Sequence, residues 1–169
     1  MKRNIIITGF MGTGKSVVAK QLACKLKMEF IDMDRIIEEG RGMSIADIFA
    51  RYGEKYFREQ ENKLVKELSR KENAVIATGG GTLLSSDNTR MLGRRGQIIC
   101  LYADSRTIYN RVKRKNNRPL LKRENVLSEI NRLLEERKKA YNNFTIKIDT
   151  TNLSVQEVAD KIITLLKRV

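Results

Sequence analysis

Gly9-Phe10-Met11-Gly12-Thr13-Gly14-Lys15-Ser16 fits the pattern G-x-x-x-x-G-K-[ST] at every fixed position. Glycines let such a loop turn its backbone N–H groups inward, where they and the N-terminus of the next helix attract phosphate oxygens. Gly12, Thr13, Gly14 and Val17 would line that cradle, and Lys15 would reach the β- and γ-phosphates. The Ser16 hydroxyl would sit on Mg²⁺, a cation that such sites hold mostly through phosphate oxygens and water. The setting is the required one, because the apolar β-branched run 4–8 precedes the loop and a helical pattern over 16–26 follows it. A bare glycine turn capping a helix is the bland alternative.

Two carboxylates follow the next apolar run. In Phe30-Ile31-Asp32-Met33-Asp34 the aspartates lie two apart, and on an extended segment they would share a face and point toward the phosphate site. One would help hold Mg²⁺, and the other would accept a hydrogen bond, and the proton, from an attacking hydroxyl. Asp34 has a structural alternative as N-cap of a helix over 35–39. Glu54, Arg58 and Glu61 stand at helix-neighbour spacings, which by itself describes a solvated ion-pair ladder. Arg137 falls on the apolar stripe of Leu127, Ile130, Leu134 and Tyr141, so its charge either reaches out to water or faces an anion.

Gly79-Gly80-Gly81 after an apolar strand calls for close approach of a ligand to the main chain or for positive φ angles, with a flexible turn as the alternative. From Arg111 to Arg123 the chain is strongly basic, includes Arg118, has no acidic residue and holds the only proline, Pro119. That composition fits a lid over 112–124 that orders on a polyanion, and equally a solvated basic loop or a nucleic-acid patch.

Positioning these groups takes a regular frame. Strands read at 4–8, 28–32, 74–78, 97–102 and 145–149. Helical patterns separate them at 44–52, from Gly53 through Leu68, at 86–92, 104–115 and 124–141, and a last one opens at Ser154. Strands alternating with helices predict right-handed βαβ units, hence an α/β fold with a five-stranded parallel sheet in three α/β/α layers, of the P-loop NTPase type. The 169 residues predict one domain over 1–169, with a substrate-binding insertion near 33–61.

Charged residues make up 32% and the formal net charge is +14, which points to anionic partners. The absence of histidine excludes His-based catalysis and His-ligated zinc. Cys24 and Cys100 read as small buried hydrophobes without metal spacing. No apolar run approaches the roughly 18 residues of a membrane span, and the first strand begins too early to leave room for a signal peptide, so a cytoplasmic location is expected.

Taken in order, Gly9 to Ser16, Phe30-Ile31-Asp32-Met33-Asp34, Phe57-Arg58-x-x-Glu61, Thr78-Gly79-Gly80-Gly81 and Arg118-Pro119-Leu120-Leu121 resemble the shikimate kinases along essentially the whole chain. Ser44-Ile45-Ala46-Asp47-Ile48-Phe49 is similar to that family as well. The resemblance implies ATP-dependent phosphorylation of the 3-hydroxyl of shikimate, and the partners expected are shikimate and ATP, with a monomer acting without nucleic acid or membrane. It implies Lys15 and Ser16 at the nucleotide phosphates and Mg²⁺, Asp32 near the metal, and Asp34 at the acceptor hydroxyls. Arg58 and Arg137 would grip the shikimate carboxylate, each guanidinium being suited to bidentate pairing. Gly79, Gly80 and Gly81 would offer backbone contacts, Arg118 would reach the phosphates, and Arg111 would stack on adenine.

Two departures stand out. The loop Thr150-Thr151-Asn152-Leu153 lacks a proline common in the family there, and Arg137-Lys138-Lys139-Ala140-Tyr141 lacks an internal Pro-Leu. Other small P-loop kinases, for gluconate or nucleoside monophosphates, and a basic nucleic-acid-binding protein stay open as alternatives. The pair Asp32/Asp34 with Arg58 and the glycines favours a polyhydroxy carboxylate as acceptor.

Overall fold

The computed structural model describes residues 3–113 and 125–167. Its five strands are β1 (Asn4–Gly9), β2 (Glu29–Asp32), β3 (Ala74–Ala77), β4 (Gly96–Tyr102) and β5 (Ile146–Asp149), in the spatial order β2-β3-β1-β4-β5. Every pairing is parallel, so each connection must cross over the sheet. Helices make these crossings: α1 (Lys15–Leu26), α2 (Met33–Arg41), α3 (Ile45–Leu68), α4 (Ser86–Gly93), α5 (Ser105–Val112) and α6 (Val126–Asn142), while α7 (Val155–Leu166) follows β5.

A strand covered on both faces needs apolar residues at every position, which is what Ile5-Ile6-Ile7 supplies in the middle of the sheet. Ile6 joins Phe57, Leu64, Val65 and Leu68 of α3 on one face. Ile5 and Ile7 meet Val18 and Leu22 of α1 with Val158 and Ile162 of α7 on the other. The three-layer α/β/α arrangement follows. Buried Asn4 fixes the register at the start of the sheet: its Nδ2 donates to the Lys71 carbonyl at 2.8 Å and its Oδ1 accepts from the Ala74 amide at 3.0 Å. Ile7 consequently lies opposite both Ala77 and Ile99, and Asp32 opposite Ala77, bringing the strand ends that carry the chemistry to one edge.

A third apolar cluster lies beneath the phosphate loop, where Phe10 and Met11 pack on Ile108 and Val112 of α5 and on Ile130 and Leu133 of α6. Gly53, at φ 78° and ψ 171°, breaks α3 where the sequence predicts the helix to break. Cys100 is buried, whereas Cys24 is exposed and so is not the core hydrophobe its helical setting implies. The helix expected to reach 115 closes at Val112, and of the expected lid over 112–124 only residues 112 and 113 fall within the described residues. Arg118 lies outside them. No described helix is long and apolar enough to cross a membrane.

The end of β1 tolerates no side chain. Gly9 has φ 140°, and a Cβ there would run into the Leu101 carbonyl oxygen of the neighbouring strand. Gly9→Ala is therefore expected to cost at least about 3 kcal/mol and to lower Tm by about 10 °C in a thermal melt. An unchanged melting temperature would show that β1 and β4 are free to separate there.

Candidate active site

Helix α1 starts without a side-chain cap. Its N-cap residue, Gly14, has φ 93° and makes no side-chain hydrogen bond, and the first turn holds no acidic residue. The other α-helices described are capped by Asp32, Ser44, Ser85, Asp104, Asn125 and Ser154. The first amides of α1 and its positive dipole end are thus directed at the loop without a competing carboxylate or hydroxyl, the arrangement that attracts phosphate. Gly12 also has positive φ, 76°, and a Cβ on it would press on Val112 at 2.8 Å. The Phe10 carbonyl accepts from Thr13 Oγ1 at 2.8 Å and from Lys15 Nζ at 3.0 Å, so buried Lys15 is held close under its own loop.

A cleft of about 530 Å³ opens over this loop. Gly12, Thr13, Gly14, Lys15, Ser16 and Val17 line it together with Asp34, Arg111, Thr150, Leu153 and Val155. Arg111 donates from Nη1 to the Gly12 carbonyl at 3.4 Å and to Thr150 Oγ1 at 3.1 Å, and from Nη2 to the Thr150 carbonyl at 2.7 Å. Thr150 Oγ1 lies 3.1 Å from the carbonyls of both Thr13 and Tyr102. The chain after β5 is tied through Thr150 to the phosphate loop, and Leu153 and Val155 supply apolar lining.

The second half of the site is built on a buried carboxylate. Glu61 is 1% exposed, its Oε2 pairs with Arg58 Nη1, and its Oε1 accepts from Thr82 Oγ1. Arg58 also meets Glu54 at 3.0 Å. Burial opposes the charge on Arg58, and Glu61 and Glu54 outweigh it, so the guanidinium's pKa lies above its ordinary value. The solvated ladder read from the spacing therefore applies to Glu54 but not to Glu61.

Gly79, Gly80 and Gly81 have no positive φ. Their lack of side chains is used for close approach: a Cβ on Gly79 would lie 2.5 Å from Glu61 Oε1, 2.8 Å from Asp34 Oδ1 and 2.9 Å from Thr82 Oγ1. One on Gly81 would lie 2.7 Å from both terminal nitrogens of Arg58. The glycines accommodate the protein's own charged side chains. From α6, Arg137 turns inward rather than out to water, donating from Nη1 to the Gly80 carbonyl at 3.3 Å with its guanidinium over the Phe10 ring at 5.5 Å.

Asp32 and Asp34 do not share an extended face. β2 ends at Asp32, whose Oδ1 accepts from the amides of Asp34 at 3.1 Å and Arg35 at 3.4 Å. Asp32, not Asp34, is the cap of α2, and the first helical turn carries Asp34 both to the cleft over Lys15 and to Gly79. Asp34 thus borders both halves of the site.

The family model for shikimate kinase matches residues 11–167. The chain belongs to the shikimate kinase family. A shikimate kinase of Pelotomaculum thermopropionicum is 47% identical over 98% of this chain and 96% of its own length. One from Thermodesulfovibrio yellowstonii is 44% identical over 95% and 93%. The solved structure of a shikimate kinase from Acinetobacter baumannii in complex with shikimate is 35% identical, covers 99% of this chain and 94% of its own, and superposes with a TM-score of 0.95. As a member of the shikimate kinase family the chain is an ATP-dependent kinase, and the gluconate, nucleotide and nucleic-acid alternatives are set aside. Tyr141, Thr82 and Thr150 carry no weight in the sequence reading because their partners are Gly80, Glu61 and Thr13, far away along the chain.

Beside this site, burial pushes the Cys100 thiol up to about 11, against the pull of Lys15 and Lys147. Burial likewise pushes the Tyr141 hydroxyl up to about 12, against Arg137. Both groups keep their protons in the folded chain at pH values where the unfolded chain has released them. Their contribution is full below about pH 9 and is lost as pH rises toward 12. Tm measured across pH 8 to 11 is expected to fall steadily above about pH 9, and Cys100→Ala to delay the onset. A flat profile would contradict the burial of both groups.

Proposed function

We propose that the chain transfers the γ-phosphoryl group of ATP to the 3-hydroxyl of shikimate, giving shikimate 3-phosphate and ADP on the route to chorismate and the aromatic amino acids. The observation that carries this reading is the double position of Asp34, which lines the cleft with Lys15 and Ser16 and touches the glycine loop where Arg58 and Arg137 converge. Acceptor and phosphates would meet at that carboxylate.

Phosphoryl transfer asks mainly for positioning and for neutralisation of charge on the transferred group. The first amides of α1 and Lys15 hold the β- and γ-phosphates, and Thr13 keeps the loop closed through the Phe10 carbonyl. Ser16 and the Asp32 oxygen not used as a cap, acting through water, fit a cation that takes few protein ligands. Mg²⁺ bound there neutralises phosphate charge. Asp34 accepts a hydrogen bond from the 3-hydroxyl and then its proton as the new P–O bond forms. Arg58, preset by Glu61, and Arg137 pair with the shikimate carboxylate, while Gly79, Gly80 and Gly81 offer main-chain contacts. The edge of Arg111 is engaged by Thr150 and Gly12, leaving its flat face for adenine beside Val17, Leu153 and Val155. We assign Arg118, which lies outside the described residues, to the same charge neutralisation. We place this activity in the cytoplasm, in a monomer acting without nucleic acid or membrane.

A coupled ADP-release assay with shikimate, gluconate and nucleoside monophosphates tests the reading: only shikimate is expected to drive turnover, and ADP release indifferent to shikimate would overturn it. Asp34→Asn is expected to lower kcat by roughly 10²- to 10⁴-fold with ATP affinity retained. Turnover close to the parent's would remove Asp34 from the role of proton acceptor.

A further inference from the structure

Two donors on α6 share one acceptor. The Gly80 carbonyl takes the Tyr141 hydroxyl at 2.8 Å and Arg137 Nη1 at 3.3 Å. Residues 137 and 141 are one helical turn apart, so both reach the same loop from the same face of α6. Tyr141 packs against the core cluster under α3 and also against the cluster beneath the phosphate loop, which leaves its ring little freedom. The raised pKa of its hydroxyl keeps the proton on the oxygen, so Tyr141 remains a donor at neutral pH.

We propose that Tyr141 is a positioning residue of the acceptor site: it holds the Gly80 carbonyl so that Arg137 can exchange that carbonyl for the carboxylate of the acceptor. The inference rests on the reading above in which Arg137 meets that carboxylate. Of the two bonds the hydroxyl's is the shorter, and the guanidinium's, at 3.3 Å, lies beyond the usual N–H···O range, so Arg137 is the donor more easily released. Were Arg137 the single donor, its departure would strip a part-buried carbonyl of its partner, and that cost would be subtracted from acceptor binding. With Tyr141 in place Gly80 keeps a partner in both states. The same bond orients the trans peptide between Gly80 and Gly81, and so fixes the Gly81 N–H on the side opposite to Tyr141.

Steady-state kinetics of Tyr141→Phe, Arg137→Ala and the double variant, with shikimate and ATP varied separately, test the exchange. Tyr141→Phe is expected to raise KM for shikimate about tenfold, with KM for ATP and kcat moving less than about twofold. In the Arg137→Ala background the same substitution is expected to add less than about twofold, because no guanidinium remains to be released. A Tyr141→Phe enzyme with parental KM for shikimate would overturn the proposal. So would equal increments in both backgrounds, or a joint deterioration of kcat, both KM values and Tm, which are the marks of general support. An Arg137→Ala variant with unchanged KM for shikimate would bring down the carboxylate reading beneath the proposal, and the proposal with it, while shikimate-dependent turnover itself would stand.

Discussion

The buried carboxylate of Glu61 is the constraint on which the half of the site around the glycine loop depends. A carboxylate at 1% exposure is sustainable only if its charge is paired and its oxygens are hydrogen-bonded, and Arg58 and Thr82 meet those needs on one oxygen each. The pairing has geometric consequences. It draws α3 against the 3-10 turn Thr82–Leu84, brings Arg58 over Gly81, and puts Glu61 Oε1 in the space that a side chain at 79 would need. The glycines and the ion pair are therefore one feature. Removing either partner of such a pair would leave an uncompensated charge, at a cost of about 3 kcal/mol or more.

The half around Gly9 to Ser16 rests on a different principle. There the chain supplies main-chain dipoles rather than charge pairs: an uncapped α1, glycines at positive φ, and a loop seated on the apolar surface of α5 and α6. Arg111 and Thr150 tie that loop to the chain after β5, so its shape is set before any ligand arrives. Preorganisation of this kind spares the reorganisation that water would otherwise need as charge shifts in the reaction. The two halves meet at Asp34, placed by the first turn of α2 under the cap of Asp32.

Much of the frame was legible in the sequence. The Ile5-Ile6-Ile7 run with the glycine-lysine loop, the break at Gly53 and the cap at Ser154 express local rules, and the observed elements follow them. What was not legible depends on burial or on distant partners. The spacing of Glu54, Arg58 and Glu61 is the same whether the ladder is wet or dry, and only packing of the following Leu64 and Leu68 against the sheet buries Glu61. The choice between Asp32 and Asp34 as cap turned on where β2 ended, a matter of one or two residues that strand propensity does not settle. Cys24 sits on the outward side of a helix whose apolar stripe is narrow. Tyr141 bonds a carbonyl 61 residues away, a contact with no periodic signature.

On the proposed reading, the Glu61 charge fixes Arg58 in a geometry ready for a carboxylate before nucleotide binds. Isothermal titration of shikimate into the nucleotide-free parent and into Glu61→Gln tests it most directly, since glutamine keeps the shape and removes the charge. Measurable binding by the parent is expected, with a Kd raised about tenfold or more in the variant, corresponding to roughly 1.4 kcal/mol. Equal or tighter binding by Glu61→Gln would contradict it, showing that Glu61 restrains the charge of Arg58 rather than presenting it.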